Sequence, residues 1–245
     1  MTKAEIQMIR SLHQKGGRKE HGLFIIEGEK IIEEIRGSSL VVRKIYALEG
    51  ALEGEDVETI SPKEMERIST LTSANNSLAL VEIPQHTLTE ESLKGKLTLM
   101  LDEIQNPGNL GTIIRLADWF GIENIICSPT SADLYNPKVV QATMGAILRV
   151  KVTYTPLPPM LDKLQALKIP IYGTHLEGED IYHTELQQSG VIVMGNEGRG
   201  ISDEVARYIS KQLYIPPYPC DTPSSESLNV AIATAIVCSE FRRRA

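Results

Sequence analysis

Three polar stretches of the chain combine residue types that can hold and orient a ligand. The first runs Asp102-Glu103-Ile104-Gln105-Asn106-Pro107-Gly108-Asn109-Leu110-Gly111-Thr112, with Arg115 three residues further on. Its carboxamides both donate and accept hydrogen bonds, and the guanidinium of Arg115 presents a planar fork suited to phosphate or carboxylate. The second, Gly195-Asn196-Glu197-Gly198-Arg199-Gly200-Ile201-Ser202, has glycines that let a backbone approach a ligand closely. Their order is Gly-x-x-Gly-x-Gly, not the dinucleotide fingerprint Gly-x-Gly-x-x-Gly, and no Gly-Lys-Ser/Thr follows. Glu197 would repel a pyrophosphate, so a neutral or cationic ligand suits this loop better than NAD or ATP. The third stretch is the Pro-rich bend 216–223, followed by Ser224-Ser225-Glu226-Ser227-Leu228-Asn229 and a long terminal helix. Ser224 or Ser225 is the expected cap, with Ser227 and Asn229 in a first turn whose N–H groups are free to meet a ligand. Taken singly, each stretch also reads as an ordinary turn or helix cap.

The elements that must position these stretches divide near residues 84–96, a polar segment between two strand-like runs. Ahead of it, Ile6, Ile9 and Leu12 fit one helix face. Then come a strand at Leu23 to Ile26, a helix around Glu29 to Ile35, a strand around Val41 to Leu48, a short helix after Ser61-Pro62, and a strand at Leu78 to Ile83. Behind it, apolar strands at Leu97 to Leu101, Asn124 to Cys127, Ile169 to Gly173, Val191 to Met194 and Gln212 to Ile215 alternate with helical stretches. That alternation predicts an α/β fold with a parallel sheet covered on both faces, whose ligands bind at the carboxyl ends of the strands. In the helix after Leu101, Ile113, Leu116, Ala117 and Phe120 form the packed stripe. Asn109 is the expected N-cap, and Arg115 falls on another face, toward the mouth of the site. The terminal helix, Val230 to Val237, is apolar nearly all round and must be covered by its own domain or by a partner subunit.

Composition excludes several classes. A chain of 245 residues with 42% hydrophobic and 23% charged residues is neither disordered nor fibrous, and can bury a sizeable core. Its longest apolar runs fall well short of the ~20 residues needed to span a bilayer, and Met1-Thr2-Lys3-Ala4-Glu5 lacks a secretory core, so a soluble cytoplasmic protein is expected. Cys127, Cys220 and Cys238 are far apart and outside any CxxC spacing, against a disulfide or structural zinc. The net charge of -7 by itself disfavours a polyanion, yet Lys3, Arg10, Lys15, Arg18 and Lys19 face only Glu5 in the first nineteen residues, and the sequence closes on Arg242-Arg243-Arg244 before Ala245. Two basic ends on an acidic body can form a local phosphate-binding surface.

Together and in order, the three stretches resemble the signature motifs of the SpoU (TrmH) family of RNA ribose methyltransferases, within the SPOUT superfamily. Asn106 to Arg115 is similar to the first motif, Met194 to Ile201 to the second, and Ile215-Pro216 with Ser227-Leu228-Asn229-Val230-Ala231 to the third. The likeness covers about residues 97 to 243. The front module, with Ile25-Ile26-Glu27-Gly28 after a basic helix, resembles the substrate-binding domain of many members, itself like small RNA-binding ribosomal proteins. The loop between Ile215 and Ser227 departs from the family pattern by being a few residues longer.

The resemblance implies an RNA substrate-binding domain over residues 1–90 and a methyltransferase domain over 97–245 that carries a deep trefoil knot. It also implies S-adenosylmethionine as cofactor, no metal, and a homodimer through the C-terminal domain. Transfer to a ribose 2'-hydroxyl of ribosomal RNA is the implied reaction; transfer RNA, or a non-catalytic RNA-binding protein of the same fold, is the alternative. Asn109, Arg115, Glu197, Ser227 and Asn229 are the implied catalytic residues. Thr174, Gly195, Asn196, Gly198, Ile215 and Leu228 are expected at the cofactor, and Lys15, Arg18, Lys19 and Arg115 at the RNA. Because arginine stays protonated, Arg115 suits a phosphate clamp better than a base.

Overall fold

The structure is a computed structural model that describes residues 1–219 and 227–243. The chain forms two compact units, one of residues 1–85 with 133–148 and one of residues 86–132 with 149–245.

The first unit opens with α1 (Lys3–Ser11) and α2 (Lys15–His21). A capping box between Thr2 and Glu5 starts α1, and Gly22, at φ 64°, ends α2 in the left-handed conformation that glycine adopts at no steric cost. β1 (Leu23–Glu27), α3 (Glu29–Arg36), β2 (Val42–Ala47), β3 (Val57–Thr59), α4 (Pro62–Ile68) and β4 (Ser77–Glu82) follow. The sheet order is β1-β4-β2-β3, with β2 and β3 parallel and the other pairs antiparallel. Ile25 packs with Ile6, Ile9 and Leu12 of the N-terminal segment and with Met65 and Ile68 of α4. Phe24, on the opposite face of β1, meets Tyr135 with ring centroids 4.6 Å apart.

The second unit holds β5 (Leu97–Leu101), α5 (Pro107–Trp119) and β6 (Asn124–Cys127). After α6 (Pro137–Ala142), which belongs to the first unit, come β7 (Lys151–Tyr154), α7 (Leu157–Ala166), β8 (Ile171–Asp180), β9 (Gly190–Met194), α8 (Asp203–Ala206), β10 (Lys211–Tyr214) and α9 (Val230–Arg243). Six strands lie in the order β10-β8-β9-β5-β6-β7, all parallel. β5 and β9 are buried throughout, as a sheet covered on both faces requires. The sequence reading passes over β7, whose Lys-Val-Thr-Tyr buries only Val152 well, and over the three-residue β3. β8 runs beyond the expected end at Gly173: residues 174–178 bow out between two registers with β10, and Glu179 and Asp180 pair again with Leu213 and Tyr214. No helix among the described residues is long and apolar enough to cross a membrane.

Two expected helix starts differ. Asn106, not Asn109, caps α5: its side chain accepts from Asn109 N at 3.1 Å, and Pro107 takes the first turn, where its missing N–H costs nothing. At α9 the cap is Asn229, whose Oδ1 accepts from Ala231 N (2.9 Å) and Ile232 N (3.3 Å), so Ser227 and Asn229 precede the helix. The expected caps Ser224 and Ser225, and Cys220, lie outside the described residues. α9 is covered by its own unit along Val230, Thr234, Val237, Cys238 and Phe241, while Ile232 remains 53% exposed.

Candidate active site

β8, β9, β5 and β10 bring three polar loops to the same end of the sheet. Gly195 follows β9 and Ile215 follows β10, just past the ends of their strands, while Thr174 lies within β8 where its bow begins, directly after the register with β9 ends at Gly173. The loop after β5 feeds α5 one strand further along.

Two hydrogen bonds join these loops. Asn109 Nδ2 donates to Glu197 Oε1 at 2.9 Å, and Asn229 Nδ2 donates to Asn109 Oδ1 at 3.0 Å. They connect residues 88 and 120 positions apart. Both ends of the Asn109 amide are thereby engaged, which fixes its orientation and leaves Glu197 held from one side.

The loop after β9 is held by its own hydrogen bonds and by the loop after β5. Asn196 and Gly200 exchange backbone N–H···O bonds of 2.9 Å each way, and the Asn196 side chain accepts from Gly198 N (2.9 Å) and Arg199 N (3.1 Å). Its Nδ2 donates to Glu103 O at 2.9 Å. Arg199 ion-pairs with Glu103 Oε2 at 2.8 Å, and Ser202 N donates to the buried carboxylate of Asp102 at 2.8 Å. A Cβ at Gly195 would lie 2.2 Å from Gly200 C, so only glycine fits there. At Gly198 the nearest atom would be 3.7 Å away, an ordinary contact, so space alone does not demand its glycine. The anchoring roles of Asp102 and Glu103 escaped the sequence reading; two acidic residues directly at a strand's carboxyl end were the available signal.

Arg115 is exposed on α5, with no hydrogen bond or ion pair among the described residues. Thr174 is half-buried, its hydroxyl donating to Val193 O at 3.5 Å; Ile215 is half-buried, Ser227 exposed and Leu228 46% exposed. The expected RNA contacts of α2 separate. Lys15 and Lys19 are exposed, but Arg18 is 3% exposed, its NH2 2.5 Å from Asp133 Oδ2 and its NH1 donating to Leu12 O at 2.8 Å. The charge of Arg18 is thus neutralised inside the first unit, and the RNA contact expected of it is corrected to a buried ion pair. Cys127 and Cys238 are buried, and burial pushes their thiols up, that of Cys238 to about 12, so neither is a nucleophile. Among the described residues no group of three or more His, Cys, Asp or Glu could hold a metal.

The residues at the three strand ends suit S-adenosylmethionine. Loop backbone groups at Thr174, Gly195 and Ile215 can meet an adenosine and an amino acid, and Leu228 offers apolar cover. The cation in the glycine loop, Arg199, is already neutralised by Glu103, so a positively charged sulfonium meets no free positive charge there.

A parallel α/β sheet with amide-linked loops at its carboxyl end is the architecture of an α/β enzyme site. The chain belongs to the SpoU rRNA Methylase family, which residues 96–239 match, and residues 3–89 match the MRM3-like substrate binding domain. It is 30% identical over 240 residues to the 23S rRNA (guanosine(2553)-2'-O)-methyltransferase RlmP of Bacillus subtilis (strain 168), covering 95% of this chain and 94% of that one. Among solved structures, a TrmH-family protein from Porphyromonas gingivalis superposes with a TM-score of 0.89 at 38% identity, covering 100% of this chain and 99% of the other. An AdoMet-bound rRNA methyltransferase from Sinorhizobium meliloti superposes with a TM-score of 0.87 at 27% identity, covering 100% and 96%.

Proposed function

We propose that this protein transfers the methyl group of S-adenosylmethionine to a ribose 2'-hydroxyl of ribosomal RNA, with residues 97–245 as the methyltransferase domain and residues 1–90 as the RNA substrate-binding domain. The observation that carries this reading is the hydrogen-bonded chain Glu197–Asn109–Asn229, which ties three loops into one constellation. When bound, the cofactor supplies an electrophilic methyl on a sulfonium, itself a good leaving group, so the protein has mainly to align the reactants.

Thr174, Gly195, Asn196, Gly198, Ile215 and Leu228 hold the cofactor, chiefly through backbone atoms. Asn109, fixed at both ends of its amide, orients the ribose; Glu197 keeps Asn109 and its own loop in place, and Ser227 and Asn229 shape the site entrance. Arg115, a planar guanidinium with five donors, clamps the phosphate and stabilises the alkoxide that develops as the hydroxyl proton leaves. Lys15 and Lys19, free of ion pairs among the described residues, hold the RNA backbone. The protein works in the cytoplasm as a homodimer. Trp119 on α5 is 83% exposed and Ile232 on α9 is 53% exposed, and these two helices pack together, so a second copy covering them buries apolar surface that the chain leaves open.

The test is to incubate the purified protein with 23S rRNA and radiolabelled S-adenosylmethionine and to map ribose methylation. A 2'-O-methyl group at a defined nucleotide is expected; failure to methylate any ribose would overturn the reading.

A further inference from the structure

The first unit contains a cavity of about 340 Å³, outside the residues assigned above to the transfer reaction. It lies between the β1–α3 corner and α6, within the range of small-ligand sites. Ile31, Leu71, Val140 and Met144 give it apolar walls. Its α6 side is firmly attached: the Arg18–Asp133 pair and the Phe24–Tyr135 ring contact fasten the segment leading into α6, and Val139 is fully buried. Met144 is 70% exposed and sits at φ 49°, a left-handed conformation rare for a side chain of this size.

The polar groups of the lining separate into two sets. Glu27 already accepts from Ser69 Oγ (2.6 Å) and Thr70 N (2.7 Å), and Glu29 from Asn76 Nδ2 (3.1 Å). With Glu34 these make three carboxylates against one ammonium, Lys30, so the interior of the cavity favours a neutral group over a phosphate. The carboxamides of Asn75 and Gln141, one on each side, have no hydrogen bond among the described residues. A flat neutral group with an apolar face and an edge of alternating donors and acceptors satisfies both conditions. An unpaired nucleobase is such a group, and a carboxamide is the side chain that reads its edge.

We propose that this cavity takes one unpaired base of the RNA, with Asn75 and Gln141 reading its edge, Ile31, Leu71 and Met144 against its face, and Lys30 at the rim for the adjoining phosphate. The inference rests on the RNA-methylating reading and adds to it a site that chooses the sequence or shape of the substrate away from the transfer chemistry.

Binding of fluorescein-labelled single-stranded RNA hexamers, one for each base, to the full chain tests it without relying on methyl transfer. The wild type is expected to prefer one base. Gln141→Ala and Asn75→Ala are expected to weaken that hexamer about tenfold and to abolish the preference, with the salt dependence unchanged because no phosphate contact is lost. Ile31→Trp, which fills the cavity, is expected to do the same at an unchanged thermal midpoint. Equal binding of all hexamers by the wild type, or unchanged affinity and preference in all three variants, would overturn the proposal. So would competition at the cavity by a basic apolar peptide that leaves RNA binding intact. A wild type that binds with base preference but methylates no rRNA refutes the activity and leaves the cavity assignment standing.

Discussion

Two arginines on two helices carry the same formal charge and have opposite fates. Arg18 on α2 is buried, with its guanidinium shared between Asp133 and a backbone carbonyl, while Arg115 on α5 is exposed and unpaired among the described residues. The first cation works for folding: it fastens residues 133–148 onto α2, with Arg18 115 positions before Asp133. The second remains available to a ligand. Asn109, on the same helix as Arg115, is bound to both Glu197 and Asn229, while Arg115 has no partner among the described residues.

Substitutions can break or sharpen this contrast. The largest effect is expected from Asp133→Ala, which strands the buried Arg18 charge and should cost about 3 kcal/mol of unfolding free energy in a denaturant titration. Arg115→Ala should leave that titration unchanged and lower methyl transfer about a hundredfold, with cofactor affinity retained in calorimetry. Similar stability losses in both variants would erase the contrast. Asn109→Ala removes both inter-loop hydrogen bonds and should slow transfer about tenfold with a smaller change in stability.

The smallest expected effect lies in the first unit and depends on pH. Tyr46 donates to Glu5 Oε1 at 2.7 Å, and this bond, with Thr2 N and Lys44 beside it, holds the Glu5 carboxyl below its ordinary value. A carboxyl lowered on folding contributes stability above its unfolded pKa and loses it as pH falls through the lowered value. Tyr46→Phe should therefore cost about 1.5 kcal/mol at neutral pH, with the two unfolding curves converging as pH falls through the lowered Glu5 value. A difference that stays constant across the acid range would show that lost packing, not the hydrogen bond, is responsible.

Much of this architecture was legible in the sequence, for identifiable reasons. β5 and β9 are nearly continuous apolar runs, as a doubly covered sheet requires, and the glycine order with Glu197 pointed to a neutral or cationic ligand in preference to NAD or ATP. Other features left no local trace. Both Asn106 and Asn109 are good caps, and Pro107, which favours the first helical position, was the signal that decided between them. Arg18 looked like its exposed neighbours Lys15 and Lys19 because its partner, Asp133, is 115 residues away. The pairing of β10 with two separate parts of β8 depends on a five-residue bow whose composition resembles any exposed loop. The links among Asn109, Glu197 and Asn229 are likewise long-range, so the residues were identifiable individually while their bonding was not.

The return of residues 133–148 to the first unit bears on how the molecule can be divided. The backbone passes between the two units three times, after residues 85, 132 and 148. A fragment ending at residue 90 would lack Tyr135, Val139 and Val140, and would bare Phe24 and the guanidinium of Arg18 together. The front module is in this sense a split structure, completed only after the chain has already built β5, α5 and β6, so a growing chain cannot finish its first unit until it is well into its second.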